Sequence, residues 1–340
     1  MTDLSTVSRR AFMVMPLALL ACKPRDLVLE IKGLTMGTTY NVVAIDRTRQ
    51  LNQIEVQSAI EAALDDVNRK MSNWDPRSEI SQFNAQPGTL PVDVSPDLAH
   101  VMDAAQAVHL ASDGRFDTTI GPLIELWGFG ASGQHAFPND GDIAAVRAAS
   151  GHQNALRVEG TTMQKTRADA QVYLAAIGKG YGADQVARAL EGLGIEDFMV
   201  EIGGDLYTSG VNPNGAPWRI GIESPDPLKV SPSKVVGVSG YGLASSGDYR
   251  NYFEKNGKRY SHVIDPATGR PINHATVSVT VLAKNAMFAD AWATAMLILG
   301  KDRGLEIAEA QELAVLFVER DSVTGGLRIE ANPRFEELVV

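Results

Sequence analysis

Between residues 53 and 71 apolar side chains recur every three to four positions. The run ends near Met71-Ser72-Asn73-Trp74-Asp75-Pro76, where proline halts helix continuation, so the spacing predicts a helix. Residues 97–112 (DLAHVMDAAQAVHLAS) repeat that period and meet an Asp113-Gly114 turn. Residues 34–45 read as a strand broken by Gly37, and further strands are predicted over 198–202, 276–283 and 314–317. From 218 to 264 short strands alternate with turns. Residues 171–193 read as a short apolar segment, a loop spaced by Gly178, Gly180 and Gly182, and a helix through 183–190. An apolar helix over 289–299 stops at Gly300, and Arg303-Gly304 opens another. Helices and strands intersperse without a βαβ period, which predicts an α+β class. No low-complexity linker divides residues 33–340, which predicts one domain.

The N-terminus has a different pattern. A polar stretch ending in Ser8-Arg9-Arg10 precedes an eleven-residue apolar run, Ala11 to Ala21, and then Cys22. A helix spanning a bilayer core needs about 20 apolar residues, so residues 1–21 read as an export signal. The competing reading is an apolar N-terminal strand. Ser8-Arg9-Arg10-Ala11-Phe12-Met13 resembles a twin-arginine signal, and Leu19-Leu20-Ala21-Cys22 resembles a bacterial lipobox. On that reading residues 22–32 are a lipidated tether. The expected location is the periplasmic side of a bacterial membrane, inner or outer.

Composition narrows the chemistry. The 41 acidic and 31 basic residues give a net charge of −10, which argues against binding nucleic acid. The single cysteine excludes a disulfide framework, a cysteine-ligated zinc site and an iron–sulfur cluster in a monomer. A metal would rest on oxygen or histidine. Asp290 and Thr294 stand four apart on an apolar helix and so share a face, as hard oxygen ligands suited to Mg²⁺. The plainer reading is a helix-start aspartate with a helix-facing threonine, yet a carboxylate on so apolar a helix demands a cationic partner. The glycines of 178–182 with Lys179 could receive a phosphate or form a tight turn. His262, at a strand end before Asp265-Pro266, is either a general base or structural. The segment from Phe116 to Gly130 offers aromatics and the carboxylate of Asp117, fit to grip a flat heterocycle or to fill a core.

Together these segments resemble the ApbE family of flavin transferases. The resemblance runs through Thr35-Met36-Gly37-Thr38-Thr39-Tyr40, Met71-Ser72-Asn73-Trp74, Ser78 to Asn84, Phe116 to Gly130, Ala176 to Gly182, Gly203-Gly204-Asp205, Ser245 to Tyr252, Ser261 to Pro271 and Ala289 to Thr294. It implies a single domain with a flavin cleft and transfer of FMN from FAD to a threonine or serine of an acceptor protein, releasing AMP. Carried over residue by residue, it implies Mg²⁺ ligation by the carbonyl of Ala176 and the side chains of Asp290 and Thr294, with the Ala293 carbonyl as a further donor. Flavin contacts would fall at Met36, Trp74, Arg115, Phe116, Asp117, Lys179 and Ile264, and His262 would be the base. The implied partners are membrane redox subunits.

Tyr173 departs from the family pattern, which usually has an aspartate three residues before the metal-binding carbonyl. Asp169 could replace that aspartate only through a rearranged loop. Two other functions compete: a Mg²⁺-dependent FAD pyrophosphatase giving FMN and AMP, and a non-catalytic flavin-binding lipoprotein. The latter needs neither His262 nor the metal ligands.

Overall fold

A computed structural model describes residues 27–130, 137–226, 232–321 and 323–339. The export signal and Cys22 lie outside the described residues. The centre is an eight-stranded antiparallel sheet, in the spatial order Leu27–Thr35, Thr38–Asp46, Asp197–Ile202, Asp205–Ser209, Gly242–Gly247, Thr276–Ala283, Ala314–Arg320 and Leu327–Ala331. Strands and helices alternate irregularly along the chain, as the α+β expectation requires.

Alternation of side chains sets the layers. In the Thr276–Ala283 strand all eight residues are buried, so both faces are covered. Val279, Val281 and Ala283 pack toward the helices, whereas Leu282 packs with Trp218, Val236 and Leu316 on the opposite face. Helices Gln53–Met71, Gly178–Gly192 and Ala286–Leu299 occupy the first face. Val56, Ile60 and Leu64, one stripe of the first helix, meet Leu29, Ile31 and Val186.

Several expectations change. Residues 27–32, read as tether, belong to the outer strand, because Leu29 and Ile31 alternate inward at 5% and 2% exposure and pair with Ala44 and Val42. The stretch 34–45 is a strand end, a turn and a second strand; Met36 (φ 49°) and Gly37 (φ 73°) supply the left-handed backbone of the turn. The three glycines expected in a loop lie inside the Gly178–Gly192 helix. The apolar helix opens earlier than read, at Ala286, where the Asn285 side chain accepts the Phe288 N–H at 2.9 Å. Asp290 is therefore one turn inside the helix rather than at its start.

Candidate active site

The Gly178–Gly192 and Ala286–Leu299 helices meet closely because Gly180 has no side chain. A Cβ on Gly180 would stand 2.2 Å from the Ala286 carbonyl oxygen and 2.9 Å from Asp290 Cβ. That approach lets the Gly180 N–H donate to Asp290 Oδ2 at 3.1 Å. The same amide would close a regular turn on the carbonyl of Ala176, and no backbone donor among the described residues takes its place. The second tie runs the other way: Asp184 accepts the Ala286 and Met287 amides at 2.8 and 2.9 Å. Burial pushes the Asp184 carboxyl up to about 6, against the pull of those two amides.

Asp290 is 3% exposed, and the cation it demands is Lys179, whose ammonium lies 3.7 Å away and also pairs with Asp205. Burial works to lower the Lys179 pKa, but the charges of Asp205 and Asp290 outweigh it and hold the ammonium above its ordinary value. Asp205 is pushed up to about 7 by burial and then by the charge of Asp290, against the pull of Lys179. Two buried carboxylates thus share one ammonium, a place with excess negative charge. Thr294 follows Asp290 by one turn, and its hydroxyl lies 3.2 Å from Ser246 Oγ.

These oxygens fit a hard divalent cation. Among the described residues no group of three or more His, Cys, Asp or Glu is gathered to hold a metal. A cation here would rest on one carboxylate, one hydroxyl and the Ala176 carbonyl, the oxygen set that Mg²⁺ tolerates.

Beside the cluster opens a cavity of about 230 Å³ whose lining includes Met36, Asn73, Trp74, Tyr173, Gly178 and Lys179. Trp74 is 71% exposed at its rim, an apolar ring free to cover a flat ligand. Three of the expected flavin residues, Met36, Trp74 and Lys179, therefore come together. The other four do not line this cavity. Phe116 is 2% exposed in the main core, and Ile264 is 1% exposed in a satellite cluster with Leu123, Trp127 and Ile143. Arg115 pairs with Asp265 at 2.6 Å. Asp117 accepts the Thr119 amide and hydroxyl at 2.7 and 2.6 Å and the His152 amide at 3.3 Å, and so braces its own loop.

His262 sits at the open end of the Tyr252–Lys255 and Lys258–Ser261 hairpin, just past Ser261, with its backbone N–H on the Asn251 carbonyl at 3.0 Å. Its Nδ1 is 3.1 Å from the same oxygen, which assigns the ring proton to Nδ1 and leaves the Nε2 lone pair free to accept one. Burial lowers its pKa, against the Asn251 hydrogen bond, so the ring is neutral at neutral pH.

Sequence reasoning gave no role to Asp184, Asp205, Asn73 or Asn84. Asp205 follows the Gly203-Gly204 pair, and the two asparagines stand in the Met71–Trp74 and Ser78–Asn84 motifs, but their partners are 26 to 101 residues away in sequence.

Comparison with known proteins bears on the same residues. The model of the ApbE family matches residues 36–317. The FAD:protein FMN transferase of Vibrio cholerae is 42% identical over 87% of this chain and 88% of its own, and that of Haemophilus influenzae is 40% identical over 95% of each. The solved flavin transferase ApbE from Vibrio cholerae superposes with a TM-score of 0.85 at 39% identity, covering 92% of this chain and 99% of that one. The apo Pseudomonas stutzeri flavinyl transferase ApbE gives 0.84 at 36% identity, covering 92% and 97%. With 282 matched positions that include Met36, Lys179, Asp205, His262 and Asp290, the chain belongs to the ApbE family.

Proposed function

We propose that the protein transfers FMN from FAD to a serine or threonine hydroxyl of an acceptor protein and releases AMP. The observation that carries this reading is a cavity, walled by Met36 and Trp74, that reaches Lys179, whose ammonium pairs with the buried Asp205 and Asp290. The names of the relatives agree with it.

The acceptor oxygen attacks the FMN phosphorus, the P–O–P bond breaks, and the electron pair leaves with AMP. Lys179 stands where phosphate charge would enter and is kept protonated by its two carboxylates. Asp290, Thr294 and the Ala176 carbonyl would hold Mg²⁺. Bound there, the ion would offset pyrophosphate charge and stabilise the charge growing on the leaving phosphate. The free Nε2 of His262 would take the acceptor hydroxyl's proton, while Asn251 fixes the ring. The N-terminal sequence supports export and lipidation at Cys22, which would hold the domain beside membrane redox acceptors on the periplasmic side.

Incubation of the protein with FAD, Mg²⁺ and candidate acceptor subunits should yield a fluorescent acceptor band in denaturing gels and one AMP per flavin attached. AMP release with no labelled acceptor across the candidates would instead favour the pyrophosphatase.

A further inference from the structure

The central sheet contains a gap on one side of its Gly242–Gly247 strand. The Asp205–Ser209 strand pairs with it only at Tyr207–Gly242 and Leu206–Leu243, and then gives way to the tight turn at Gly203-Gly204. Past Leu243 the Gly242–Gly247 strand runs on through Ala244–Gly247, still paired on its other edge with Thr276–Ala283 as far as Gly247 opposite Ser278. The backbone groups of alternate residues point to opposite edges of a strand. The Tyr241 carbonyl accepts the Thr208 amide at 3.1 Å, and the Asp248 amide donates to the Val277 carbonyl at 3.1 Å. Odd-numbered residues therefore face the gap, and the amides and carbonyls of Ser245 and Gly247 have no backbone partner there among the described residues.

Both faces of the gap are furnished. On the helix face the Ser246 hydroxyl lies 3.2 Å from that of Thr294, and Asp205, where the shorter strand begins, pairs with Lys179. On the opposite face a cavity of about 160 Å³ is lined by Leu206, Ile220, Leu243 and Tyr249, with Ser245 and Gly247 themselves. Beyond Gly247 the chain reaches Asn251, whose carbonyl holds the His262 ring. The free edge thus starts beside one expected cation ligand and leads toward the expected base.

An unpaired strand edge takes an extended chain whose amides and carbonyls match its own. A strand seated there sends alternate side chains to the two faces, and the residue opposite Ser246 shares the Ser246 face. A hydroxyl on that residue is delivered to the side of Thr294, Asp205 and Lys179, while a neighbouring side chain enters the cavity. We propose that the acceptor protein docks by strand addition: an extended segment carrying its serine or threonine pairs with Ser245 and Gly247, the hydroxyl-bearing residue lying opposite Ser246. The inference rests on the FMN-transfer reading above and deepens it by naming how the acceptor is held.

The probe is a short capped peptide centred on the flavin-bearing residue of the acceptor subunit labelled in the assay above, with copies N-methylated at one backbone position each. Methylation at every second residue should raise the peptide KM roughly fivefold or more, the worth of one hydrogen bond, and methylation at the residues between should change it less than about twofold. Ser245→Pro removes one donor from the free edge and fills the gap with its ring, while the ladder to Thr276–Ala283 does not use that amide. It should raise the peptide KM at least about fivefold while FAD affinity changes less. Thr280→Val breaks the Ser245–Thr280 hydroxyl contact, 2.8 Å, without touching the edge, and should keep the parental KM. Hydrogen exchange on the parent keeps the test open if the proline variant does not fold: saturating acceptor subunit should slow exchange at the Ser245 and Gly247 amides. Unchanged exchange at both amides, N-methyl effects without a two-residue period, or a peptide left unlabelled while the whole subunit is labelled would overturn the proposal. Protection of both amides in the chain alone that is lost on dilution would assign the edge to a second copy of the chain and overturn it as well. AMP release with no labelled acceptor would remove the transfer reading first, and this inference with it.

Discussion

Gly180→Ala is the substitution that most directly tests how the site is built. In an exposed helix interior the change stabilises by about 1 kcal/mol, because alanine loses less backbone freedom than glycine. Here the new methyl would stand 2.2 Å from a backbone oxygen and 2.9 Å from Asp290 Cβ. Ordinary contact begins near 3.5 Å, so the helices must part by roughly 1 Å, and overpacking of this kind costs about 1–3 kcal/mol. The sign of the propensity effect should therefore reverse. The Gly180–Asp290 hydrogen bond, now 3.1 Å, would stretch beyond bonding range and carry Asp290 away from Lys179. A shift of about 1 Å at reacting groups can lower a rate by about 10²-fold. Gly192→Ala is the control: it lies at the end of the same helix and its Cβ would meet nothing within 4 Å. That variant should be as stable as the parent or up to about 1 kcal/mol more so, with unchanged activity. Denaturant midpoints and rates of AMP release from FAD, measured for both variants, read the two effects. A Gly180→Ala protein as stable and as active as the Gly192→Ala protein would show that the contact between these helices does not set the site.

Three further outcomes are expected. Asp290→Asn keeps the side-chain shape but removes a charge, so FMN transfer should fall by at least about 10²-fold while FAD binding changes less, because the loss bears on charge that develops in the transition state; unchanged rates at limiting Mg²⁺ would contradict the ligand assignment. His262→Asn should slow transfer by about 10²–10⁴-fold with little change in FAD affinity, and should flatten the rise of rate with pH expected of the parent; identical pH profiles would remove His262 from proton transfer. His152 is 2% exposed and burial lowers its pKa to about 4, so the fold favours the neutral ring. Its stabilisation is complete above about pH 6.5 and is lost as pH falls toward 4, by roughly 3 kcal/mol in all and about 2 kcal/mol between pH 7 and 5. His152→Asn should therefore show a shallower loss of denaturant midpoint over that interval, and parallel curves for parent and variant would refute the assignment.

The sequence showed the need for a cation at Asp290 because burying a carboxylate alone on an apolar helix is unfavourable whatever the tertiary fold. It showed Lys179 too, though as a flavin contact and not as that cation. The glycine spacing of 178–182 was visible but open to a local reading, as flexibility. What Gly180 provides is close approach to Ala286, more than a hundred residues away, and no local pattern encodes that contact. The outer strand was hidden for a different reason. Leu29 and Ile31 alternate with Glu30 and Lys32 as an amphipathic strand should, but their nearness to an export-like segment favoured a tether. Asp117 was legible as a carboxylate that could meet a heterocycle or fill a core, but its loop-bracing partners, Thr119 two residues on and His152 in another element, were not.

The site and the fold share the same hydrogen bonds. The first amides of a helix lack intrahelical partners, and the helix dipole favours negative charge near them. The 178–192 and 286–299 helices bring such amides together and exchange carboxylates: Asp290 takes an amide at the start of one, and Asp184 takes two at the start of the other. Each carboxylate therefore meets part of its own desolvation cost and satisfies donors that the fold would otherwise leave unpaired. The Ala176 carbonyl is released as a by-product of the first exchange, and Lys179 rides on the same turn. Donor oxygens for a cation, an ammonium for phosphate and the rigidity that holds both thus follow from one helix contact, which the absence of a side chain at Gly180 permits.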